Sequence, residues 1–144
     1  MTTTKNNEGF SDAERAAMKE RAAELRAEKG GKKKAEDLTA LLDKLAELPE
    51  ADRVMGEQIH AIVTRVAPHL DAKTWYGMPA YARDGKIVCF YKPASKFDSR
   101  YATFGFEEAA QLDDGDMWVT SYALVRLGDD ETQLLERLVK KAAG

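Results

Sequence analysis

Two sets of side chains in this chain could hold a ligand. The first is acidic. Glu107, Glu108, Asp113, Asp114 and Asp116 cluster late in the sequence, and Glu47, Glu50, Asp52 and Glu57 cluster earlier. Carboxylate oxygens suit hard cations, so the later cluster is a weak candidate for holding a metal ion. Asp113-Asp114-Gly115-Asp116 lacks the length and terminal Glu of an EF-hand loop. His60 and His69 are not at ligand spacing, and with one cysteine, Cys89, no soft-ligand zinc set can be assembled.

The second set is aromatic. Trp75-Tyr76-Gly77-Met78-Pro79-Ala80-Tyr81 packs three aromatics, a Met, a Gly and a Pro into one short stretch. Bent by Gly77 and Pro79, it could line a cleft for a small molecule. The candidate pocket comprises Trp75, Tyr76, Met78, Pro79, Tyr81, Lys86, Tyr91, Arg100 and Trp118, with the cations supplying charge. Exposed, Met78, Pro79 and Tyr81 would instead form an apolar patch for a protein partner or a second copy, so a homodimer is expected as one outcome.

Catalytic signatures are missing. Cys89, Ser95, Ser99 and Ser121 have no His beside them in sequence, and no nucleophile elbow, P-loop or dinucleotide glycine motif occurs. Cys89 lies in an apolar run and reads as a core thiol. The chain is expected not to be an enzyme.

Totals narrow the classes further. At 144 residues with 44% hydrophobic and 33% charged side chains, the chain suits a globular protein. No apolar run has the length of a membrane span, no signal-peptide pattern opens the chain, and cysteine use fits a cytoplasmic location. The net charge of -3 is divided unevenly: residues 1–34 hold nine Lys/Arg against six Asp/Glu, and the remainder is acidic. The basic arm is mixed in charge, so nucleic acid is not an expected partner.

The elements that must position these residues follow from pattern. Residues 1–9 read as a disordered tail. Ser11 and Glu14 form a capping box that opens an alanine-rich helix to about Lys29, with little apolar surface to bury. It is expected to pack loosely or to stand away. Gly30-Gly31-Lys32-Lys33-Lys34 reads as a linker. The expected division is therefore 1–34 for tail, helix and basic linker, and 35–144 for the main domain.

A second helix is expected over 36–48 on a stripe of Leu38, Leu41, Leu42, Leu45 and Leu48, and a third from Pro49 to about Val66 with Met55, Ile59, Ile62, Val63 and Val66 inward. Gly56 in that helix suggests close approach by another element. Strands are expected at 73–76, resuming at 80–83 beyond a Gly77–Pro79 bend. Asp84-Gly85 marks a hairpin into 86–92, whose five successive apolar residues suit a central strand covered on both faces. Further expectations are a strand at 100–104, a short acidic helix at 106–112, a strand at 119–127 and a C-terminal helix capped by Asp129. Clustered strands favour an α+β fold: an antiparallel β-sheet meander packed against helices, with an extra N-terminal helix.

At these positions the chain resembles the YdhG-like family, a domain of unknown function placed near frataxin-like and YjbR–CyaY-like proteins. The residues that carry the resemblance are Leu48-Pro49-Glu50, Trp75 to Tyr81, Gly85-Lys86, Met117-Trp118 and Lys140-Lys141-Ala142. It covers about 36–144. It implies an α+β domain with an antiparallel sheet, and an iron chaperone-like role, since some relatives carry that label. Lys96-Phe97-Asp98-Ser99 stands where a His is expected, which argues against a His-based metal site. Two functions are carried forward: weak iron handling by surface carboxylates, and a small-molecule or protein-partner binding domain centred on Trp75–Tyr81.

Overall fold

The computed structural model describes residues 9–29, 31 and 34–144. The expected tail at 1–8, and Gly30, Lys32 and Lys33 of the expected linker, lie outside the described residues. Helix α1 (Asp12–Lys29) is followed by α2 (Lys34–Ala46) and α3 (Glu50–Val66). Strands β1 (Asp71–Trp75), β2 (Met78–Arg83), β3 (Lys86–Lys92), β4 (Ala102–Phe106) and β5 (Ser121–Leu124) follow, and α4 (Asp129–Ala143) comes last. All neighbouring strands pair antiparallel in the order β1-β2-β3-β4-β5. The fold is α+β, a meander packed against helices, with the extra N-terminal helix in place.

Alternation decides what each face of the sheet carries. Tyr81, Cys89, Tyr91, Phe104, Phe106 and Leu124 join the main core with Met55, Ile59, Ile62 and Val63 of α3 and Leu135 and Val139 of α4. Each fully buried aromatic there contributes about 2–3 kcal/mol of hydrophobic stabilisation. The opposite face carries Trp75, Met78 and Phe90, and α1 lies against it. Covered on both sides at the middle of the sheet, β3 is the apolar central strand its sequence indicated.

Local chemistry explains the helix ends. The Ser11 N–H donates to Glu14 at 2.8 Å and the Glu14 N–H donates to Ser11 Oγ at 3.1 Å, closing the capping box. Leu41 and Leu45 of α2 are buried, whereas Leu38 and Leu42 remain largely exposed. A Cβ on Gly56 of α3 would lie 2.5 Å from Leu45 Cδ2 and 3.0 Å from the Tyr91 ring. Its glycine permits the α2–α3–β3 contact. Arg83 anchors the end of α4, donating to the carbonyls of Ala143 and Ala109 at 2.7 Å each.

Several expectations need correction. There is no bend at Gly77–Pro79. Tyr76 and Gly77 form a two-residue turn with φ of 54° and 75°, and Met78–Pro79 already belongs to β2. Pro79 fits because the β2–β3 register begins at Ala80↔Phe90, so its missing N–H is not required there. Residues 107–110 form turns rather than an acidic helix. The last strand is shorter than 119–127, and α4 is capped by Gly128, whose N–H donates to Glu131 at 2.9 Å.

Candidate functional site

Side-chain alternation splits the candidate pocket residues. Trp75, Tyr76 and Met78 line one groove of about 440 Å³ together with Phe10, Met18, Phe90, Phe97 and Lys92. The floor is aromatic: the Trp75 and Phe90 rings lie 5.4 Å apart, and the Tyr76 ring meets Trp75 edge-on at 5.1 Å. Lys92 Nζ sits 4.9 Å from the Phe97 ring centroid at the rim.

Tyr81 and Tyr91 do not face this groove. They are one residue out of phase with Met78, Ala80 and Phe90, so they point into the core. Tyr81 pairs its hydroxyl with His60 Nδ1 at 2.9 Å, and Tyr91 donates to the Asp52 carbonyl at 2.8 Å. Burial pushes both phenols up and His60 down. Pro79 is buried opposite Thr74. Lys86 is exposed at the start of β3, and Arg100 stacks on Tyr101 at 5.1 Å on the surface. Trp118 lies elsewhere, in a cavity of about 320 Å³ shared with Phe106, Glu107, Glu108, Asp113 and Thr120. An apolar patch of Met78, Pro79 and Tyr81 is therefore not exposed; all three are buried.

The acidic candidates Glu107, Glu108, Asp113, Asp114 and Asp116 are all exposed. Among the described residues no group of three or more His, Cys, Asp and Glu side chains is placed to hold a metal ion. The earlier acidic cluster is drawn into other pairings: Asp52 accepts from the Ser95 N–H at 3.1 Å, and Glu57 pairs with Arg53 at 3.2 Å. Cys89 is fully buried and its thiol is pushed up by that burial, which suits a core residue rather than a nucleophile. His69 faces the Ala143 carbonyl at 3.2 Å.

Sequence reasoning missed the partner of the aromatic turn. The N–H groups of Tyr76 and Gly77 donate to the two oxygens of Glu24 at 3.0 Å each. One helical turn earlier, Glu20 accepts from Lys44 of α2 and from Lys96 at 2.6 Å each. One turn later, Glu28 accepts from Lys73 of β1 at 2.8 Å. The missed signal was the spacing of Glu20, Glu24 and Glu28, four residues apart, which places them on one face of α1.

Fold and site together define an α+β domain in which a helix lies on an aromatic and basic sheet face. No family model, curated protein or solved structure matches the chain. Among the described residues no helix is long and apolar enough to cross a membrane.

Proposed function

We propose that this chain is a non-enzymatic binding domain whose ligand site is the groove between α1 and the Trp75–Met78 face. The observation that carries this is the groove itself: about 440 Å³, floored by Trp75, Met78, Phe90 and Phe97, with Lys92 at its rim. Such a lining suits a flat apolar small molecule bearing one anionic group, with stacking below and a cation at the edge. The YdhG-like resemblance is compatible with a binding role, and the cytoplasm remains the proposed location. Iron handling is not carried by this groove, which is mostly aromatic and apolar and whose charged groups are one ammonium, Lys92, and one carboxylate, Glu14.

The test uses Trp118→Phe chain, leaving Trp75 as the one tryptophan reporter. It is titrated with a panel of aromatic and aliphatic carboxylates, and separately with ferrous iron. Saturable change in Trp75 emission with a carboxylate, weakened about fivefold or more in Lys92→Gln, is expected. Saturation by iron alone would replace this reading with the metal one. Silence to both titrants would refute the groove.

A further inference from the structure

Helix α1 is attached by charge more than by apolar burial. Ala17 is its one buried residue, while Phe10 before it and Met18 and Leu25 within it are only partly covered, at 50%, 37% and 44% exposure. Its Glu20, Glu24 and Glu28 stripe is read by four segments of the chain. Lys44 and Lys96 grip the first carboxylate, the two turn N–H groups grip the second, and Lys73 grips the third. Arg21 bridges from the helix itself to Glu24 and Glu28 at 3.3 and 3.4 Å. The receiving groups are shaped for this cargo. Consecutive φ of 54° and 75° turn both N–H groups of Tyr76 and Gly77 to one side, a backbone concavity that suits an anion. Gly77 leaves room for it, since a Cβ there would lie 2.3 Å from Glu20 Oε1.

The geometry points to a receptor surface for an acidic helix, with α1 as its displaceable occupant in cis. The surface comprises Lys44, Lys73, Lys96 and the 76–77 turn. The partner it fits is a separate protein presenting an α-helix with Glu at positions i, i+4 and i+8. Partner binding and α1 docking exclude one another, so α1 sets the affinity threshold: a tethered helix competes at an effective concentration of roughly millimolar. This surface lies on the acidic flank of α1, beside the aromatic groove; because Phe10 and Met18 help to line that groove, release of α1 opens it, and a groove ligand would favour the docked helix.

The experiment uses the full chain carrying E20Q/E24Q/E28Q, which removes the cis stripe and leaves the receptor untouched. The probe is a fluorescein-labelled peptide of residues 9–31 with the native glutamates, and a control peptide with glutamine at the same three positions. The variant is expected to bind the native peptide at least tenfold tighter than the wild-type chain does, and at least tenfold tighter than it binds the control. Raising ionic strength should weaken that binding. A folded variant that binds neither peptide, or both alike, overturns the proposal. So does a variant that loses all its helical circular dichroism, because α1 would then be an obligatory part of the fold. Amide hydrogen exchange on the wild-type chain gives an independent measure: α1 amides should exchange at least a hundredfold faster than those of α3 through local release. Equal protection would refute displaceability. Light scattering that shows concentration-dependent dimerisation of the wild-type chain, abolished in the triple variant, would make a second copy the occupant and overturn the separate partner.

Discussion

At the scale of single residues, the 76–77 turn carries the unusual chemistry. Two-residue hairpins favour positive φ at both central positions because that twist matches the strands, and Asn-Gly or Asp-Gly satisfies it at lowest cost. Asp84-Gly85 does so here, with φ of 52° and 80°. Tyr76 takes the same left-handed conformation with a bulky side chain, at a cost of about 1–2 kcal/mol. The Glu24 carboxylate offsets that by accepting both turn N–H groups, a charge-assisted arrangement. Gly77→Ala adds a second strained position and a Cβ against Glu20. It should destabilise the chain by about 1–3 kcal/mol in urea unfolding. In Glu20→Ala chain the same substitution should cost less, because only the backbone component remains; equal costs in both backgrounds would show that the Glu20 contact is not felt.

At the scale of elements, α1 is held by carboxylates that titrate. Burial pushes Glu20 up, but hydrogen bonds from Lys44 and Lys96, reinforced by their charges, hold its carboxyl below the ordinary value of 4.5. The hydrogen bond from Lys73 does the same for Glu28 against a weaker burial effect. A lowered carboxyl binds fewer protons when α1 is docked than when it is free. The docking contribution is therefore complete above pH 4.5 and is lost as pH falls through the lowered values. The melting-temperature difference between wild-type and E20Q/E24Q/E28Q chains should be constant near neutral pH and shrink below pH 4.5. A difference that persists unchanged in acid would mean that α1 is held by something other than this stripe. Helix α3 offers a contrasting prediction. Gly56→Ala gains about 1 kcal/mol of helix propensity, yet the new methyl meets Leu45 and Tyr91. Overpacking costs about 1–3 kcal/mol, so the chain should be destabilised in urea, and a stabilised variant would show that α2 shifts freely.

At the scale of the whole molecule, the two faces of the sheet do different work. The core face joins α3 and α4 through Phe104, Tyr91 and Leu135, all buried. The other face is covered by one lightly buried helix and an open groove. Phe104→Ala should cost about 3–5 kcal/mol, a large part of the stability of a domain this size. Phe90→Ala, on the groove face, should cost clearly less in chemical denaturation while abolishing the Trp75 fluorescence response to ligand. Equal losses of stability from the two truncations would mean that the groove face is core.

The sequence by itself determined the elements whose signals are local. Period and punctuation placed α1, α2, α3 and α4 to within a few residues, the Asp84-Gly85 hairpin, and the central apolar strand at 86–92. Clustered strands implied the antiparallel meander. Local signals failed where a distant partner decides the conformation. Tyr76 reads as the end of a strand, with a bend at Gly77–Pro79, because proline signals the interruption; the Glu24 carboxylate that accepts from the turn's N–H groups lies 52 residues from Tyr76 and leaves no local signal. The pocket residues were legible as types but not as a face, because one residue of phase separates Met78 and Phe90 from Tyr81 and Tyr91. Phe10, Met18 and Phe97 complete the groove from segments remote in sequence. Likewise, acids close in sequence need not converge in space: loops display the acids between Glu107 and Asp116 to solvent, whereas Glu20 and Glu28 meet lysines from three distant segments and Glu24 meets two backbone N–H groups. Tertiary structure alone decides such pairings, since a side chain's partner is set by where folding carries the rest of the chain.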